Sequence, residues 1–302
     1  MAELPIGVFG DYAHGILPDA SHVEAFRTAV LEYFRLYGRP FPWRDTRDPY
    51  RIFVSELMLQ QTQTERVVPK YTAFIERFSS FEVLARASLR EVYELWRGLG
   101  YNRRAKALRD AAARVVAEFG GALPREITQL ESLPGVGPYT ARAVSVFAFD
   151  RAEVFIETNI RRVFIHCFFP GRDEVHDRQI IPLVEATLDR GAPRIWYYAL
   201  MDVGAGLRRV TANPNRRSVH YVRQAPFADS SRQLRGRILA SLASGTLEAK
   251  KLAGDLGAPL DSVERSLEAL EREGLVVKEE AGYTIPDARW EGGGGEPPMN
   301  DF

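Results

Sequence analysis

Apolar side chains recur every three to four residues along most of the first two hundred positions, the spacing of one face of an α-helix. Val23, Phe26, Val30 and Phe34 fall on one side of a wheel and predict a helix that begins with Ser21 as N-cap and ends by Gly38. From residue 51 to about 70, Phe53, Val54, Leu57, Met58 and Gln61 share a second such stripe, just after the turn-forming stretches Pro42-Trp43-Arg44 and Asp48-Pro49-Tyr50. Two short amphipathic pieces at 81–87 and 89–96 each follow a serine, and the glycine-rich turn at 98–102 leads into a helix over 103–119 closed by Gly120-Gly121. A short helix then breaks at Pro134, Gly135 and Gly137 make a tight turn, and a new helix begins at Pro138, where the missing N–H of proline costs nothing. Residues 152–156 are apolar and extended, and Thr158 or Asn159 can cap the helix that follows. Another helix spans 195–204. With no strand of any length in this part, the fold class is all-α with short connections.

The pattern changes after residue 228. Leu234, Ile238, Leu239 and Leu242, then 247–256, then 260–273, followed by a small hairpin around Gly282, read as a winged helix over 229–286. The expected plan is an irregular arm at 1–20, a helical body at 21–228, the winged helix, and a disordered tail at 287–302 carrying four consecutive glycines. The body divides into a lobe of 51–150 and a lobe of 21–50 with 151–228.

Composition narrows the choices. A 302-residue chain with 45% hydrophobic residues can bury a core, and its formal net charge of zero confines any nucleic-acid binding to local clusters. Five of the forty basic residues are lysines, a scarcity that bears on covalent chemistry. The single cysteine, Cys167, sits in an apolar run and reads as a buried structural thiol, with no second cysteine to share a disulfide or a metal. No segment approaches eighteen apolar residues and no signal peptide is evident, so a soluble, cytoplasmic, monomeric protein is expected.

Two carboxylates stand out. Glu56 lies at the edge of the 51–70 stripe; it is either a solvated helix residue or a group half in a pocket, and in the pocket its charged form is disfavoured, as a general acid near neutral pH requires. Glu157 lies where a helix starts, so the first free amides should keep it ionised. Two glutamates pushed in opposite directions make an acid and anion pair if they share a cleft. The Gly135-Val136-Gly137 turn with a new helix N-terminus is a phosphate-binding device. Arg208, Arg209, Arg216, Arg217 and Arg223 fall within 207–224 with no acidic residue between them, in what reads as a loop suited to phosphate contact.

With those residues in view the chain resembles the helix-hairpin-helix DNA glycosylase superfamily, and within it the MutY-like adenine glycosylases. Pro42-Trp43-Arg44, the string from Ser55 to Gln63, Trp96-x-Gly98-Leu99-Gly100-Tyr101, Leu133-Pro134-Gly135-Val136-Gly137, Asn159-x-x-Arg162-Val163 and Met201-Asp202-x-Gly204 occur in order between residues 22 and 207. The resemblance implies a two-lobed helical fold that binds double-stranded DNA and flips a mispaired or damaged nucleotide, most readily adenine, for hydrolysis of its N-glycosidic bond in base excision repair. It implies that Glu56 protonates the leaving base, Glu157 stabilises the positive sugar and Tyr139 supports the pocket. Arg44, Trp43 and Leu59 are carried over as lining the base site, and Gln60 and Tyr101 as wedge candidates. A thymine or uracil glycosylase and a non-catalytic damaged-DNA binder are the alternatives.

Four differences qualify the resemblance. The family has aspartate where this chain has Glu157. Relatives with lyase activity carry a lysine where this chain has Tyr139, which implies a monofunctional enzyme. The four cysteines that hold a [4Fe–4S] cluster in relatives are missing, Arg208 standing at the first ligand position, so neither cluster nor other cofactor or metal is expected. No 8-oxoguanine recognition domain is evident. The third winged-helix element carries five acids against Arg265 and Arg272, a charge that phosphate repels, and so suits a protein partner.

Overall fold

The computed structural model describes residues 6–12, 17–222 and 230–290. Residues 1–5 and 13–16 of the arm, Arg223 and the tail from 291 onward lie outside the described residues. In chain order the helices are α1 (Ala20–Tyr37), α2 (Pro49–Leu59), α3 (Thr64–Arg77), α4 (Phe81–Ala85), α5 (Leu89–Trp96), α6 (Arg103–Phe119), α7 (Ile127–Glu131), α8 (Pro138–Phe149), α9 (Thr158–Phe168), α10 (Asp177–Thr187), α11 (Pro193–Val210), α12 (Ser231–Leu242), α13 (Ala249–Leu256) and α14 (Leu260–Arg272). A 3-10 turn covers Pro214–Arg217, and strands β1 (Val277–Glu279) and β2 (Gly282–Thr284) pair antiparallel with Lys278 opposite Tyr283. The all-α expectation holds for the described residues, among which β1 and β2 are the only strands.

The chain divides into two compact units: residues 1–47 with 138–224, and residues 48–137 with 225–302. The sequence reading placed the boundary near 150. It falls instead at Pro138, because α8 packs with α11: Phe147 stacks on Tyr198 at 4.6 Å, and Phe155, which stacks on Tyr197 at 4.1 Å, meets Tyr139 edge-on at 5.6 Å.

In the first unit, Asp19, not Ser21, caps α1; its carboxylate accepts from His22 N at 3.0 Å and from the Ser21 hydroxyl at 2.7 Å. Phe26, Phe164, Phe168 and Trp196 form an aromatic centre shared by α1, α9 and α11. Cys167 is fully buried beside it as a free thiol, and burial pushes its ionisation far above the usual thiol range. The extended stretch before α9 is tied to α11 by Tyr197, whose hydroxyl donates to the Glu153 carbonyl at 2.8 Å and accepts from Phe155 N.

In the second unit, serine caps open α4 and α5 as the sequence suggested; Ser88 forms a full capping box with Glu91. Gly120, with φ of 61°, closes α6. The expected single helix from 51 to 70 is two helices, α2 and α3, separated by a turn at 60–63 in which Gln61 takes a φ of 53°. Arg104 is the reason: its guanidinium donates to the carbonyls of Leu57 at 2.9 Å and Met58 at 3.0 Å and also to that of Gln60, satisfying the last acceptors of α2 and ending it there.

The C-terminal helices and hairpin are not a free-standing appendage. Leu89 and Tyr93 of α5 share a core with Ile238, Leu242, Leu252, Val263, Leu267 and Leu270. Arg90 fastens the same seam, donating to the Leu242 and Ala243 carbonyls at 3.1 and 3.0 Å and to the Thr284 hydroxyl at 2.7 Å.

Candidate functional site

The second unit carries Glu56 near the end of α2. From Ile52 to Met58 every residue of this helix is buried, so α2 is enclosed on all sides and not amphipathic at an edge as its pattern suggested. Glu56 is 8% exposed, which settles the choice between a solvated and a pocketed glutamate in favour of burial. A carboxyl group in so apolar a helix is costly to bury unless it is partnered. Leu59, half-buried, ends the helix, and the turn that follows is anchored by Gln60, whose amide donates to the Gly135 carbonyl at 3.1 Å. Gln60, a wedge candidate, is half-buried, and Gln61 beside it is exposed in the left-handed region.

The hairpin motif reaches the same place. Gly135 has a φ of 77°, and a Cβ there would lie 2.9 Å from the Ala107 Cβ, so glycine is required for both conformation and approach. Val136 is buried and its N–H is spent on the Leu133 carbonyl at 3.1 Å, which removes it from the set of amides available to an anion. Gly135 and Gly137 remain exposed. Tyr101, with a φ of 48°, is half-buried: Arg104 lies 5.4 Å from its ring centroid, and its hydroxyl accepts from Arg232 of α12 at 3.3 Å.

The first unit carries Glu157, and the cap of α9 is Glu157 itself, in place of Thr158 or Asn159. Its carboxylate accepts from Asn159 N at 2.7 Å, Ile160 N at 2.8 Å and the Asn159 side-chain amide at 3.2 Å. The expected amides are thus present, yet the net direction is opposite to expectation. Burial pushes the carboxyl above the ordinary glutamate range and outweighs the two N–H donors and the Arg162 and Arg161 charges, which pull it down. Arg162 organises this end of α9, donating to the Asn159 side chain at 2.6 Å, the Gly204 carbonyl at 2.6 Å and Asn213 at 3.1 Å. The glycine of Met201-Asp202-x-Gly204 explains itself here: a Cβ on Gly204 would stand 2.3 Å from the Asn159 carbonyl oxygen.

Arg44 and Trp43 occupy structural places. Arg44 donates to both oxygens of Asp202 at 2.7 and 2.9 Å and to the Arg39 carbonyl at 2.9 Å, with the Tyr198 ring 4.5 Å away. Its fork is already matched to a carboxylate, a structural partner that its expected place at the base site did not foresee. Trp43 is buried and stacked on Phe41 at 4.9 Å. Tyr139 is exposed on the first turn of α8.

The arginine-rich segment is only partly a loop. α11 runs on to Val210, so the exposed Arg208 and Arg209 stand on its last turn, where the helix C-terminus favours cations. Arg216 is exposed on the 3-10 turn. Arg217 departs from the phosphate set: it donates to the Phe169 and Ile165 carbonyls, the latter at 3.2 Å, and so caps the end of α9. A cluster-binding set of four thiolates does not fit this region, since Cys167 is the sole cysteine and is enclosed in α9. No described helix is long and apolar enough to cross a membrane.

Known proteins resemble the chain in the same elements. It matches the family described as HhH-GPD superfamily base excision DNA repair protein over residues 54–197. It is 34% identical over 269 residues to the adenine DNA glycosylase of Mycolicibacterium smegmatis, which covers 82% of this chain and 91% of that protein. Identity to the adenine DNA glycosylase of Homo sapiens is 36% over 205 residues, covering 64% of this chain but 38% of the human protein, so the chain spans well under half the length of that relative. A solved structure of a thermostable thymine-DNA glycosylase superposes with a TM-score of 0.55 at 29% identity, over 62% of this chain and 88% of that one.

Proposed function

The chain belongs to the HhH-GPD superfamily of base excision DNA repair proteins, and on that premise we propose that it is a monofunctional DNA glycosylase releasing a mispaired base, foremost adenine, from duplex DNA. The observation that carries this reading is Glu56, a buried carboxyl on α2 within the matched segment, three residues before the helix ends and five before the exposed, left-handed Gln61. A purine leaves a deoxyribose when it accepts a proton and when the developing positive sugar meets an anion. Glu56 is the proton donor and Glu157 the anion. Water then completes the hydrolysis, and no protein amine needs to attack the sugar. Lys106, the buried lysine of α6, is ion-paired with Asp110 at 2.6 Å, which supports a reaction without a lysine adduct.

Phosphate contacts fall to the exposed Arg208, Arg209 and Arg216 and to the glycine amides of the 135–137 turn. No iron–sulfur cluster takes part. The 3-10 turn occupies the stretch after α11, and Asn215 holds it to the start of α9 through the Thr158 carbonyl at 2.8 Å.

The test is a panel of duplexes with single mismatches or damaged bases, incubated with the protein and then treated with alkali. Strand breaks confined to mispaired adenine are expected. Breaks at thymine or uracil opposite guanine would move the substrate to the second reading, which the thymine-DNA glycosylase likeness favours. Binding without cleavage across the panel would leave a non-catalytic DNA binder.

Glu157 yields a prediction of its own. A carboxyl whose ionisation is pushed up in the folded state favours the fold below the unfolded value and loses that contribution as pH rises through the folded one. At neutral pH the anion is therefore held at a cost. Glu157→Gln keeps an acceptor for Asn159 N and Ile160 N without the charge, so its Tm should exceed that of the parent at neutral pH and converge with it below the ordinary glutamate range, while base release falls. Thermal unfolding across pH, paired with single-turnover release, checks both halves; a lower Tm at neutral pH would contradict the stated balance.

A further inference from the structure

The second unit holds a groove between the Gln61, Tyr101 and Gly135 turns and the C-terminal helices. It encloses about 640 Å³, within the range of small-ligand clefts. One wall is built from the motif turns, with Gln61, Tyr101 and Gly135; the other comes from the C-terminal helices, with Arg232 and Arg235 of α12 and Arg272 of α14. Six cationic side chains line it against one carboxylate, Glu273; Arg104 is held by the α2 carbonyls, Lys106 by Asp110 and Arg235 by Glu273, so Arg103, Arg232 and Arg272 carry its net positive charge.

We propose that the C-terminal helices form a second DNA grip, in which this groove holds one nucleotide of the duplex by its phosphate. This rests on the reading of the chain as a glycosylase acting on duplex DNA, and it gives α12 a role that neither the family match, which ends at 197, nor the catalytic groups supply. The acidity of α14 pointed toward a protein partner, but Asp261, Glu264, Glu268 and Glu271 are not among the lining residues, and Glu273 is paired with Arg235. What the module presents to the groove is basic. Arg232 reaches across it to within 3.3 Å of the Tyr101 hydroxyl, joining α12 to the turn that follows α5. That turn, the Gln61 turn and the Gly135 turn are the exposed, left-handed pieces of backbone in the motifs. A backbone able to approach a ligand on one side and a bank of guanidinium groups on the other is the arrangement a nucleotide phosphate requires, since arginine matches phosphate oxygens bidentately.

Binding of the full-length chain to a fluorescent, uncleavable mismatch duplex tests this by anisotropy over a series of salt concentrations. The double variant Arg232→Ala with Arg272→Ala should raise Kd by about 10-fold, and the plot of log K against log salt should become shallower by about one, the value of one lost phosphate contact. Arg265→Ala, on α14 outside the lining, should leave Kd and slope as they were, and Arg232→Lys with Arg272→Lys should keep most of the slope. Should the double alanine variant unfold, Arg103→Ala on the exposed first turn of α6 reads the same slope. Unchanged Kd and slope in a folded variant would overturn the grip. A loss that depends on the opposite base, with the slope unchanged, would overturn the phosphate assignment. If the parent protein releases no base from any duplex yet the slope changes as stated, the grip stands and the glycosylase reading falls. Base release by the parent with an unaltered slope removes the grip alone.

Discussion

Replacing Glu56 by glutamine is expected to lower the rate of base release by about 10²- to 10⁴-fold, the range that a positioned general acid contributes. Duplex affinity should change far less. The expectation follows from the helix that holds the residue. α2 is capped by Asp48, whose carboxylate accepts from Tyr50 N at 2.9 Å with Pro49 in the first turn, and it is enclosed from Ile52 to Met58. Burying a carboxyl in such a helix costs several times what a leucine would return. Glutamine keeps the length and the polar end while removing the transferable proton, so the variant separates chemistry from shape. Single-turnover release under saturating protein is the measurement, because it isolates the chemical step from product departure. Retained release in this variant would remove Glu56 as the acid, and a parallel loss of binding would point to a structural role in place of a catalytic one.

The residues that the sequence disclosed and those that it hid differ in the range of the interactions that define them. Ser80, Ser88 and Gly120 were legible because a cap is a local matter: the side chain or the backbone freedom acts within three or four residues. The Gly135 turn and the Glu56 motif were legible as strings. Arg104 was not. It stops α2 from a position 44 to 47 residues away, and no periodicity within 51–70 announces that a guanidinium will take the last carbonyls. Arg217 failed for the same reason, since a cap on α9 supplied from residue 217 looks in sequence like one more exposed cation. Glu157 was half legible. The helix start and its amides follow from local pattern, but the burial that turns the balance upward is tertiary. The C-terminal hairpin and three helices were visible by period alone, whereas their shared core with Leu89 and Tyr93 of α5 was not.

Asp202→Ala is the substitution expected to cost the fold most. The carboxylate is 2% exposed and accepts from Arg39 N at 2.8 Å, Arg39 Nε at 2.7 Å and both terminal nitrogens of Arg44 at 2.7 and 2.9 Å. The Arg44 side chain is itself only 9% exposed, so removing the acid leaves a guanidinium enclosed among Phe34, Phe41 and Tyr198 without its counter-charge. Breaking a buried pair from one side costs about 3–5 kcal/mol, and for a unit of this size that lowers Tm by on the order of 10 °C. The Arg39 end of the network should matter less, because that side chain is 27% exposed and water can solvate it. Arg39→Ala is therefore expected to cost on the order of 1 kcal/mol, as a partly exposed pair does. The pair also discriminates between two roles for Arg44. If it is a clamp, Arg44→Met together with Asp202→Leu should recover much of the stability that Asp202→Ala loses, since an apolar pair of similar volume replaces a buried ion pair at little cost. If Arg44 instead touches the flipped base, the double variant should refold and still lose base release. Thermal unfolding of the three variants beside single-turnover release decides it, and the geometry around Asp202 predicts recovery of both.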